Sequence, residues 1–129
     1  MSERRSRYHL RVADLAPYAP AHHSGTRNWR LVGRETVGAG NLEVVLGEIE
    51  GGAGALAHAH PGIEQVCYLL EGEAHVEVAG ETFELKAGEA CFFPADAMHR
   101  FVVTSERARV LVIYAPPYGE DPARVRRPG

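Results

Sequence analysis

Cysteine is scarce in this chain: Cys67 and Cys91 are the only two among 129 residues, and they lack Cys-x-x-Cys spacing. That excludes a dithiol redox motif and a zinc ribbon. Both lie in apolar, strand-like contexts, where buried free thiols are expected. No apolar run reaches the roughly 18 residues that a membrane-spanning helix needs. Met1 to Arg11 is too polar for a secretory leader, so the cytoplasm is the expected location. A basic stripe interleaved with aromatics is missing as well. The net charge is only -3, and arginines gather at the ends as Arg4, Arg5 and Arg7, then Arg124, Arg126 and Arg127. Such clusters read as solvated tails, and nucleic acid is not an expected partner. Internal repeats and helical periodicity are also lacking, which argues against a solenoid, a two-barrel chain or a helical bundle.

What is present is a set of short apolar runs punctuated by glycine, proline and acidic turns. With 45% hydrophobic residues, the length suits one small domain. The runs predict strands at 29–35, 42–50, 63–71, 74–79, 81–85, 90–94, 99–103 and 108–114. Eight strands suit an all-β jelly-roll barrel. Ala74, Val76 and Val78 alternate with Glu73, His75 and Glu77, so one face of that strand is apolar and the other wet. Ala79-Gly80 predicts a tight hairpin with Gly80 at positive φ. Residues 1–28 hold Pro17 and Pro20 and read as an extended arm. Residues 29–115 form the barrel, and 116–129, with Pro116, Pro117, Pro122 and Pro128, read as a tail.

The chemistry gathers around histidine. His58 and His60 are two apart, and a strand sends such neighbours to one face, where both imidazoles can meet one metal ion. A third candidate, His99, follows 39 residues after His60. His75 belongs to a wet face, His9 is expected to be exposed, and His22 and His23 in the arm read as surface residues. If His99 points inward, so do Phe101 and Val103. Phe92, Phe93 and Met98 are further candidates for the pocket wall. Arg30, Arg34, Arg100 and Arg109 could each meet a substrate carboxylate.

The frame around these histidines is similar to the cupin superfamily. Gly52, His58, His60, Gln65 and Gly72 resemble the first cupin motif, with Gln65 where glutamate is usual. Gly88, Pro94, Asp96 and His99 resemble the second, departing from it at Asp96, where glycine is usual, and at Val103, where asparagine is usual. The 15 residues between Gly72 and Gly88 match the short spacer of compact bacterial cupins, and the resemblance covers residues 52–103. It implies a jelly-roll and a mononuclear divalent metal ion held by His58, His60, His99 and a fourth ligand. Ligand type leaves iron, manganese, nickel, cobalt, copper and zinc all open.

Glu64 and Gln65 compete for that fourth place, because adjacent side chains on a strand face opposite ways. Counting back from Gly72 selects Gln65, whereas a bulge near Pro61-Gly62-Ile63 would bring Glu64 inward instead. Glutamine cannot act as a general base, so Glu64 is the catalytic candidate near the cluster. The resemblance spans oxygenases, isomerases, lyases and sugar sensors. A metal-dependent enzyme acting on a small organic molecule, oxygenase-like or isomerase/lyase, therefore stands beside a non-catalytic small-ligand binder and a purely structural barrel. It also implies a homodimer, for which Arg27, Asn28, Trp29 and the Pro116-Pro117-Tyr118 turn are candidate interface residues, although Trp29 could equally be buried within one chain.

Overall fold

A computed structural model describes residues 6–20 and 23–128, so Arg4, Arg5 and His22 lie outside the described residues. The described residues fold into eight strands: β1 (His23–Val32), β2 (Glu43–His58), β3 (Glu64–Glu71), β4 (Glu73–Val78), β5 (Glu81–Lys86), β6 (Ala90–Phe93), β7 (His99–Val103) and β8 (Arg107–Ala115). All pairings are antiparallel, in the order β5-β4-β7-β2-β8-β3-β6, with β1 on β2. This is an all-β jelly-roll barrel, as the alternating runs predict.

The long β2 links the two halves of the sheet by pairing with two strands in turn. Glu43 to Glu50 pair with β8, whereas Gly54, Ala55 and His58 pair with β7. The corner between them is glycine-rich because backbone passes backbone there. Gly54 sits at φ +147, and a Cβ on it would collide with the Phe101 carbonyl. Glycine alone tolerates both conditions. The apolar run 42–50 predicts only the first half of β2, since residues 51–57 lack a strand-like pattern and are held by their partners.

β1 begins at His23, six residues before the expected Trp29, and ends at Val32 rather than Glu35. Residues 23–28, read from sequence as arm, carry no apolar alternation. Pairing with β2 makes them a strand, a case of tertiary context overriding propensity. At the β4–β5 turn both Ala79 (φ 49) and Gly80 (φ 83) lie in the left-handed region, the twist a two-residue hairpin demands.

Inward-facing residues form one main core: Phe93, Leu69, Val76, Phe101, Val103 and Leu85, with Cys67 and Cys91 as buried free thiols. A second cluster of Val45, Ile63, Tyr114 and Tyr118 sits toward the end of the barrel that carries the histidines. Tyr118 belongs to the segment read as a tail. That segment folds back onto the barrel, and Ala59 and Arg126 exchange backbone hydrogen bonds of 2.8 and 2.7 Å. Trp29 is buried within the single chain, with the Arg27 guanidinium 5.0 Å above its ring.

Candidate metal centre

His58 ends β2 and His99 begins β7, and the ladder sets them directly opposite each other. Side chains of paired residues share a face, so the two rings meet inside the barrel with centroids 4.4 Å apart. His60 lies just past the end of β2, its ring 4.8 Å from His58 and 5.5 Å from His99. One nitrogen from each ring falls within 4.8 Å of the others. All three residues are buried.

Each imidazole is oriented from behind. His58 Nδ1 donates to the Leu56 carbonyl at 2.5 Å, His60 Nδ1 to the Arg124 carbonyl at 2.8 Å, and His99 Nδ1 to the Ala97 carbonyl at 3.2 Å. A ring nitrogen that donates its proton backward leaves Nε2 with a lone pair facing forward. Phe93 stacks flat on His99 at 4.1 Å, and Tyr118 packs on His60 at 4.4 Å.

The facing of β3 follows the Gly72 count. Gln65 is buried and lines the cavity beside the histidines, between Phe93 of β6 and Tyr114 of β8 in the ladder. Its Nε2 donates to Cys67 Sγ at 3.5 Å, which turns Oε1 the other way. Glu64 is exposed on the outer face of β3, and the structure does not bring it to the cluster.

This donor set fits a metal ion. The buried Nε2 atoms of His60 and His99 and Oε1 of Gln65 meet no hydrogen-bond partner. Buried acceptors left unpaired are costly, and a cation among the three imidazoles would satisfy the ring nitrogens, with Gln65 lining the adjoining cavity. The rings are also in the protonation state that a metal requires. Burial, reinforced by His99, pushes His58 down to about 3. Burial pushes His99 down to about 4 and lowers His60 as well, against the upward pull of their carbonyl partners. At neutral pH all three are free bases.

In front of the cluster lies a narrow cavity of about 50 Å³. Ile49, Phe93, Phe101, Val110 and Val112 make its wall apolar, while His23, Thr26, Asn28 and Tyr114 supply polar groups. Burial holds the Tyr114 hydroxyl protonated. Of the residues expected in the wall, Phe93 and Phe101 are there. Val103 packs deeper in the core, Phe92 is exposed, and Met98 lines a separate depression beside Val78. None of Arg30, Arg34, Arg100 and Arg109 reaches the cavity. Sequence reasoning missed His23, which reaches the site with its ring 6.1 Å from His58, and Tyr118 and the Arg124 carbonyl, which support His60. Tyr114 was missed as well, although the alternation Ala108, Val110, Val112, Tyr114 points it inward. The other three had no local signal.

The cupin domain family model matches residues 45–114, and the chain belongs to the cupin family. Among curated proteins it is similar to a polyketide synthase protein, CurC, of Streptomyces cyaneus: 30% identity over 113 residues, covering 88% of this chain and 73% of CurC. Among solved structures it resembles the polyketide cyclase RemF of Streptomyces resistomycificus, at 25% identity and TM-score 0.71, over 98% of this chain and 85% of RemF. An RmlC-like cupin of Shewanella frigidimarina superposes with TM-score 0.72 at 25% identity, over 84% of this chain and 89% of the other.

Proposed function

We propose that this chain is a metal-dependent cupin enzyme that acts on a small organic molecule, with an enolisable polyketide-type β-carbonyl compound as substrate class and ring closure as reaction. The observation that carries the reading is the unpartnered set of His60 Nε2, His99 Nε2 and Gln65 Oε1 beside His58 in an apolar cavity. The likeness to CurC and RemF, whose names place them in polyketide chemistry, supports the substrate class. One divalent first-row transition metal held by His58, His60, His99 and Gln65 would keep its full +2 charge and supply Lewis acidity toward an enol or enolate oxygen.

The chain's own residues do the rest. Phe93, Phe101, Val110 and Val112 exclude water, which strengthens every charge interaction inside. Tyr114 holds its proton and can donate a hydrogen bond to a substrate oxygen. Glu64 faces solvent and an amide cannot take a proton, so we place proton transfer on His23, at the cavity mouth. A larger groove of about 770 Å³ shares His23, Thr26 and Ile49 with the cavity. A chain-like substrate can thus put its reacting end inside and leave the remainder in the groove.

The test is turnover of soluble 1,3-diketone and triketide models by metal-loaded protein, under argon and under air. Ring-closed product without oxygen uptake supports the proposal. Oxygen consumption would move the reaction to the oxygenase class, and ligand binding without any turnover would leave a small-ligand binder. We also propose a homodimer in the cytoplasm. The expected interface at Trp29 and Tyr118 is used within the chain, whereas Tyr68, Leu70 and Phe92 are exposed apolar residues on the outer face of β3 and β6. Among the described residues no helix is long and apolar enough to cross a membrane.

A further inference from the structure

We infer that residues 116–128 form a strap whose docking is thermodynamically coupled to metal binding through His60, and that Glu43 is the positioning residue that fastens it. This rests on the metal-binding reading above. Glu43 is almost fully buried, 3% exposed, and its carboxylate is divided between two elements. Oε2 accepts from Arg30 Nε of β1 at 2.6 Å, and Oε1 accepts from the backbone N–H of Gly119 at 3.1 Å. A buried charge with two directional partners fixes geometry more firmly than an exposed ion pair does.

From Gly119 the strap runs directly to the site. Tyr118 lies on the His60 ring at 4.4 Å. Asp121 Oδ1 caps a short turn, Pro122–Arg124, by accepting from Ala123 N at 3.0 Å. That turn presents the Arg124 carbonyl to His60 Nδ1. Arg126 then bridges to Ala59, the residue before His60, and its Nη2 donates to the Asp96 carbonyl at 3.0 Å in the loop that leads to His99. The strap therefore touches the His60 ring and the backbone of the preceding Ala59, and it also touches the approach to a second ligand.

His60 follows the end of β2 and has no ladder partner of its own. Its direction is set by the strap, as those of His58 and His99 are set by the β2–β7 ladder. A partner that orients a ligand commonly contributes about 10- to 100-fold in metal affinity. Coupling is reciprocal, so the metal must tighten the strap by the same factor that the strap tightens the metal.

The test reads both directions on the full chain with Co(II) or Zn(II) alone. Trypsin cleavage after Arg124 and Arg126 should slow about tenfold or more when Zn(II) is bound, while cleavage after Arg11 in the N-terminal arm stays constant. Glu43→Gln and Tyr118→Leu should each weaken Co(II) binding about 10- to 100-fold and shift its visible d–d absorption, with far-ultraviolet circular dichroism unchanged. Should Glu43→Gln fail to fold, Tyr118→Leu and the wild-type cleavage rates still decide. Wild-type protein that binds Zn(II) yet is cleaved after Arg124 and Arg126 at the same rate overturns the coupling and leaves the metal site standing. Folded variants with wild-type affinity and spectrum do the same. A wild-type chain that binds neither ion overturns the metal reading, and the strap coupling with it.

Discussion

His58 and His99 face each other as paired residues of the β2–β7 ladder, their ring centroids 4.4 Å apart although 41 positions separate them in the chain. Strand pairing thus converts a distant pair into a local one. The two rings are held by sheet geometry rather than by loops, the kind of support that lets a site keep its shape before its ligand arrives.

Removing either ring should abolish the centre. His99→Ala is expected to lower metal affinity at least about 100-fold, because it removes one of the three imidazoles whose ring nitrogens lie together. Gln65→Glu should do the opposite: a carboxylate at that position lowers the site charge to about +1 and tightens binding. Glu64→Ala should leave affinity unchanged. Metal content by mass spectrometry and titration calorimetry check all three, and equal losses for Glu64→Ala and Gln65→Ala would refute the choice between the two.

The depressed imidazoles predict a definite pH response. In the unfolded chain these groups titrate near about 6.5, whereas His58 and His99 in the fold titrate at about 3 and about 4. Below pH about 6.5 the unfolded state therefore binds more protons than the native one. Stability of the metal-free protein should be undiminished above that pH and fall steadily toward pH 4. Bound metal should be retained at pH 5, where protons do not yet compete for the native His58 and His99 rings. Urea midpoints measured across pH 4–8 test the first statement, and metal release by dialysis the second.

Gly54→Ala should cost about 2 kcal/mol or more, since a side chain at φ +147 would both strain the backbone and strike the Phe101 carbonyl. The same displacement would move Ala55 to His58, so metal affinity should fall with stability. Chemical denaturation and metal titration of one preparation measure both.

On the outer face, Phe92 of β6 is 48% exposed opposite Val66, and Tyr68 and Leu70 are exposed further along β3. Phe92→Glu should shift a dimer to a monomer, read by light scattering after size exclusion, without changing metal content. A wild-type chain that already runs as a 14.1 kDa species would remove the dimer.

Alternation along the chain sufficed for the class of fold, for the wet face of β4 and for Gln65 facing inward while Glu64 faces out, because parity along a strand is a local property with period two. His58, His60 and His99 were legible from residue type and from the glycines and proline that frame them. The extension of β1 back to His23, the bend of β2 at Gly54, and the placement of Tyr118 and the Arg124 carbonyl behind His60 were not. Each depends on a partner far away in sequence, and residues 23–28 or 116–128 carry no periodic signal that would announce one. Which residues could bind a metal was thus a matter of residue type and spacing. How His60 is aimed, and which imidazole guards the cavity, was decided only when strands and strap closed around it, since orientation comes from contacts that no local stretch of chain contains.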